Sequence, residues 1–251
     1  MASPVGPLLG LDGPLVATDP VSCGGGVAAQ VVTPSKALDE YLDAHGLRLV
    51  ARTMVRTGVL DIVATAAPGI DDIVVLGKLK SLAVAAGPSG DYDLVIVDAP
   101  AAGQAVSFLR APAALADMVN VGPIGAQARE VGELLADHDL CQVVLVTLAS
   151  ETPVNELIET AFALEEELGL NLGPVVVNAV YPGADELVVP RTGPAALKEA
   201  ARFTRSLGEA QRREIERLSG ALPLPQIHVP FVFSAGLDAD DIERLAEGLR
   251  T

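Results

Sequence analysis

The residues best placed to do chemistry are Asp98 and Gly103. Asp98 closes a continuous apolar run, Leu94 to Val97, and the chain then turns through Pro100 to Gly103. A run apolar on both faces suits an interior strand of a parallel sheet. Open α/β sheets bind ligands beyond the carboxyl ends of their strands. A carboxylate at that edge can organise a magnesium ion, and a glycine there lets the backbone approach a phosphate closely. The usual partner of such an acid is missing. A phosphate cradle needs consecutive amides from a glycine-rich turn with a lysine at its end, and no Gly-x-x-x-x-Gly-Lys-Ser/Thr occurs. Of Lys36, Lys78, Lys80 and Lys198, only Lys78 follows a glycine, and Gly77-Lys78 lies in an apolar stretch of helical character. Gly24 to Gly26 precede no lysine and read as a hairpin or loop. Neither a Gly-x-Gly-x-x-Gly fingerprint nor a Gly-x-Ser-x-Gly elbow is present.

The elements that must position these residues are legible to different degrees. Residues 1–26 are rich in Gly and Pro and read as loop, with a short strand near Leu15 to Thr18. Val27 to Val32 reads as a strand and Pro34 to His45 as a helix with Leu38, Tyr41 and Leu42 on one face. Residues 47–86 read as helical pieces punctuated by Pro68-Gly69. Asp93 to Asp98 is expected to be a strand, Ile124 to Ala136 a helix, and Gln142 to Leu148 a buried strand. Thr152-Pro153 is expected to start a helix, with Thr152 as N-cap and Pro153 at its first position. Pro174 to Val180 reads as a strand, residues 195–219 as a long amphipathic helix, Ile227 to Phe233 as a last strand, and Asp238 to Leu249 as a closing helix. Strands alternating with helices imply an α/β fold with a mostly parallel sheet. No internal repeat or second domain is visible, so residues 1–251 are expected to form one domain.

Composition narrows the function classes. Half of the 251 residues are hydrophobic, aromatics make up 3% and Trp is absent, so the core must be built from Val, Leu, Ile and Ala. A net charge of −16 opposes nucleic-acid binding by bulk electrostatics. Cys23 and Cys141 stand far apart, and His45, His138 and His228 lack metal-ligand spacing. No apolar stretch approaches about 18 residues and the first residues carry no signal-peptide pattern, so a cytoplasmic protein without a transmembrane segment is expected.

The stretch Asp98-Ala-Pro-Ala-Ala-Gly103-Gln-Ala-Val-Ser-Phe-Leu-Arg110 resembles the switch II region of the anion-transporting (arsenical-pump) ATPases and of their relatives that target tail-anchored membrane proteins. Ala66-Ala-Pro-Gly-Ile70, Thr147-Leu-Ala-Ser-Glu151-Thr-Pro153, Val175-Val-Val-Asn178-Ala-Val-Tyr-Pro182, and Gln211 on the long helix followed by Ile227 to Phe233, are similar to further stretches of that family. The likeness runs from about residue 31 to the end and is nearest to the shorter actinobacterial-type members. It implies a P-loop NTPase-like α/β fold whose N-terminal strand and P-loop are here missing or degenerate. It also implies ATP or ADP with magnesium as cofactors. Carried over motif by motif, Asp98 would hold the magnesium shell through water and is the one catalytic candidate. Pro100 and Gly103 would be nucleotide-binding, with the Gly103 amide near the γ-phosphate. Asn178 would hydrogen-bond adenine, and Pro230 and Phe231 would pack on the base.

Departures from the family pattern limit the activity. The P-loop lysine is absent, and Gln104 stands where the family has His. Thr18-Asp19-Pro20-Val21-Ser22 resembles the switch I sequence, yet only 18 residues precede Asp19, too few for a P-loop, a helix and a strand. Three readings stay open at this level. The chain is a subunit with an incomplete nucleotide site beside an ATP-competent partner, or a shortened form of an active ATPase, or a nucleotide-free interaction scaffold. The resemblance implies a homodimer, or a heterodimer with an ATPase paralogue, and a peripheral link to membrane proteins.

Overall fold

The computed structural model describes residues 2–46, 69–86, 91–119, 122–181, 192–234 and 236–249. The chain divides into two compact units, Met1–Leu140 and Cys141–Thr251.

The first unit opens with a small antiparallel hairpin, β1 (Val21–Gly24) and β2 (Val27–Ala29). Gly24, Gly25 and Gly26 turn it with φ of 82°, 58° and 80°, a backbone that side-chain-bearing residues rarely adopt. The segment near Leu15 forms only a bridge to Ser3, not a strand. Among the described residues four helices follow: α1 (Pro34–Ala44), α2 (Ile70–Val84), α3 (Ala102–Met118) and α4 (Pro123–Ala136). The Thr33 hydroxyl accepts from Lys36 N–H and Pro34 occupies the first turn, so α1 starts where its sequence directs. Pieces expected within residues 47–68 lie outside the described residues. α2 packs on α1 and α4, and α3 packs on α4, around Ile73, Ala111 and Ala128. At Gly77 the side chain of Gln127 fills the place a Cβ would take. This glycine therefore serves close helix packing between α2 and α4, and Lys78 beside it is a helical residue.

Asp93 to Asp98 departs from expectation. The run is not paired into a strand, and among the described residues its nearest ladder contact is a parallel bridge between Ala86 and Tyr92. Leu94, Ile96 and Val97 are 72%, 84% and 45% exposed. Without strand neighbours on either side, hydrophobicity alone does not make a strand.

The second unit is a three-stranded parallel sheet in the order β3–β4–β5, formed by β3 (Val146–Leu148), β4 (Val175–Val180) and β5 (Gln226–Pro230). Helices α5 (Glu151–Phe162), α6 (Ala195–Ala221) and α7 (Ala239–Glu247) complete it, with a π-helical turn at Ala163–Glu167. The core lies on one sheet face, where Val175 and Val177 meet Val154, Leu157 and Ala161 of α5 and Leu218 of α6. The sequence places Thr147 on this face as well, in register with Val177. β3 is an edge strand and shorter than expected. Only Thr147 of its residues is buried, while Val144, Val146 and Leu148 on the opposite parity are exposed. The buried strand expected over Gln142–Leu148 is thus corrected to a half-exposed edge. α5 begins after Ser150, two residues before the predicted N-cap Thr152, so Pro153 falls third in the helix. Pro is tolerated there because first-turn amides have no intrahelical acceptor. The α/β class and the parallel sheet flanked by helices stand as expected.

Candidate functional site

Within the second unit, the parallel sheet brings several candidate residues to one edge. Asn178 lies on β4 and Pro230 ends β5, and the register places Val180 opposite Pro230. Asn178 is exposed, and its Oδ1 accepts from Ala179 N–H at 2.9 Å. It therefore acts first as a turn-former, which Asn does well. Among the described residues its Nδ2 makes no hydrogen bond, so a donor remains for a ligand. Phe231 is not a lone platform. Its ring stacks on Tyr181 at 4.4 Å, and Phe233 meets both rings edge-on at 4.9 Å and 5.7 Å. Offset and edge-on aromatic pairs of this kind are favourable beyond their burial. Phe233 is 66% exposed, so the cluster presents an apolar face to solvent.

Beyond β5 the chain borders a cavity of about 660 Å³ lined by Phe231, Phe233, Asp238, Asp241 and Arg244. Its polar groups are already engaged. Asp238 accepts from Asp241 N–H at 2.9 Å and Asp241 returns a bond to Asp238 N–H, which makes a capping box at the start of α7. Arg244 pairs with Asp241.

Within the first unit, Asp98 and Pro100 are exposed in the segment before α3, and Gly103 is the second residue of that helix. Gln104 and Ala105 both donate to Ala101 O, so the Gly103 amide belongs to the free first turn. Amides in such a turn favour an anion. Asp19, the switch I candidate, is exposed and faces Lys36 at 3.6 Å. A separate cavity of about 590 Å³ lies among α1, α2 and α4, lined by Tyr41, Lys78, Lys80 and Glu130. Lys78 pairs with Glu40 at 2.7 Å and Lys80 with Glu130, so neither ammonium is free to attract an anion. The Tyr41 hydroxyl is buried without a partner among the described residues, and burial together with the Glu130 charge pushes its phenol up. The hydrogen bond from Lys80 holds Glu130 below the ordinary glutamate range. Burial pushes the Cys141 thiol up, away from the thiolate form.

The donor set can be matched to the implied cofactors. Among the described residues no three His, Cys, Asp or Glu side chains gather in a metal site. A lone exposed carboxylate such as Asp98 fits magnesium only in the mode in which waters and substrate phosphates supply most ligands. Asn178 with Pro230 and Phe231 fits a planar heterocycle carrying a hydrogen-bond acceptor. No lysine in either set fits the γ-phosphate grip. Sequence reasoning did not include Tyr181 or Phe233 in the site. In a chain with 5 Phe, 3 Tyr and no Trp, their gathering at the ends of two strands was the available signal.

A parallel sheet flanked by helices makes this an α/β protein, an architecture consistent with a P-loop NTPase-like fold. The anion-transporting ATPase family model matches residues 29–124. ATPase BagA of Mycobacterium tuberculosis is 32% identical over 255 aligned residues, which cover 90% of this chain and 74% of that protein. Mb3704 of Mycobacterium bovis is similar to the same extent, 32% over 255 residues with 90% and 74% covered. The chain belongs to the anion-transporting ATPase family, whose members use a nucleotide and magnesium. Among the described residues no helix is long and apolar enough to cross a membrane.

Proposed function

We propose that this chain is a nucleotide-binding ATPase-family subunit whose own site is incomplete, working in the cytoplasm beside an ATP-competent partner. The observation that carries this is the convergence of Asn178, Pro230 and Phe231 at the carboxyl ends of two adjacent parallel strands, in a chain with no P-loop lysine. Asn178 donates to the base and the Phe231 group supplies its apolar wall. The family resemblance makes Asp98 the candidate for ordering the water shell of magnesium and Pro100 and Gly103 further candidates for nucleotide binding. Without the lysine and its glycine-rich loop, phosphoryl transfer lacks its main electrostatic clamp. The partner is a second copy or an ATPase paralogue, with a peripheral link to membrane proteins.

Single-turnover hydrolysis of ATP with magnesium tests this. The purified chain alone should release no phosphate above the buffer rate, and a paralogue carrying a P-loop should. Phosphate release by the chain alone contradicts the proposal.

A second reading is an ordinary ATPase of the family in which a further strand completes the sheet. The exposed Leu94–Val97 run favours it, since such a run gains most from a neighbouring strand. The coding frame ahead of Met1 decides: a strand followed by a Walker-type glycine-lysine loop supports this reading, and a nearby stop codon removes it.

A further inference from the structure

α6 carries a buried polar side chain committed to the loop after β4. Gln211 is 9% exposed. Its Oε1 accepts from Tyr181 N–H at 2.8 Å and its Nε2 donates to Ala179 O at 3.1 Å. One side-chain amide therefore brackets Val180 by bonding the carbonyl before it and the amide after it. This matches what a strand neighbour would do, and it stands where the β4–β5 register shifts between Val177 and Val180.

The shift has a visible cause. Ala179 has φ of 56° and is the one non-glycine residue with positive φ among the described residues. An L-residue in that region is strained and persists only where its surroundings hold it. Two groups hold it here: the Gln211 amide on its carbonyl side and the Asn178 carboxamide on its N–H. Asn178 is thus tied to a strained turn whose other tether is Gln211. A neutral carboxamide is the side chain that can accept from one backbone group and donate to another at this length. Methionine has the length but neither function, and glutamate keeps only the acceptor.

We propose that Gln211 is a positioning residue that holds Asn178 in its base-binding conformation, so that affinity for the base depends on it while phosphate affinity does not. This rests on the nucleotide reading above.

The test uses the full chain with Gln211→Met, and with Gln211→Glu should the first variant fail to fold. Hydrogen exchange reads the turn directly, and calorimetry with magnesium-ADP, magnesium-GDP and pyrophosphate reads its consequence. In Gln211→Met the Tyr181 amide should exchange about tenfold faster, as loss of one hydrogen bond implies. Affinity for the nucleotides should fall by about tenfold with pyrophosphate affinity unchanged. Adding Ala179→Gly removes the strain that the clamp offsets and should restore much of that affinity. An unchanged nucleotide affinity in Gln211→Met, or a parallel loss of pyrophosphate affinity, overturns the positioning role alone. A native chain that binds neither nucleotide overturns the nucleotide reading and this role with it.

Discussion

Two apolar runs of nearly the same character meet opposite fates. Val175 and Val177 on β4 are 1% and 0% exposed, whereas Leu94 and Ile96 are 72% and 84% exposed. β4 has strands on both sides and helices α5 and α6 on one face. The Leu94–Val97 run has neither strand neighbour among the described residues. β-propensity measures fit to a pleated, half-buried surface more than a backbone preference. The same side chains therefore stabilise one region and contribute nothing to the other until a neighbour is supplied.

The sharpest way to break this contrast is truncation on both sides of it. Leu218 is fully buried against Val175, so Leu218→Ala should cost about 2–5 kcal/mol in urea unfolding, with the slope unchanged. Ile96→Ala should stay within about 0.5 kcal/mol. Equal costs would show that the Leu94–Val97 run is buried in solution. A smaller effect belongs to the start of α7, where Asp238→Ala removes half of a capping box and should cost about 1 kcal/mol by the same measurement.

The smallest effect concerns pH. Glu130 is held low by Lys80, so its contribution is present above the ordinary glutamate range and is lost as pH falls through the lowered value. Both side chains are partly exposed, so the contribution is slight and salt-sensitive. Glu130→Gln should flatten the acid limb of the stability profile without altering stability near neutral pH beyond a few tenths of a kcal/mol. A steeper acid limb in the variant would contradict the sign.

The same contrast explains what could be read from the sequence. α1 was legible because its start signals are local, with Thr33 capping and Pro34 following. β4 was legible because Val175 to Val177 is both apolar and bounded by turns. α5 was placed two residues late because Ser150, Thr152 and Pro153 all carry start signals, and packing of Val154 and Leu157 on the sheet chose among them. The strand expected over Asp93–Asp98 failed because ladder pairing is non-local. In the candidate site, Asn178, Pro230 and Phe231 could be named from their motif. Tyr181, Phe233 and Gln211 lie in the same family-like stretches, but their roles could not be read there, since those arise from β4, β5 and α6 meeting in space.

The most direct measurement is the thermal shift of this exact chain with magnesium-ADP, with Asn178→Ala and Asp98→Asn beside it. A ligand at 100 times its dissociation constant should stabilise by about 2.7 kcal/mol. The native chain should show that shift, Asn178→Ala should lose most of it, and Asp98→Asn should lose only the part that magnesium adds. No shift in the native chain at millimolar ADP, or a shift untouched by Asn178→Ala, would contradict a nucleotide at the β4–β5 edge.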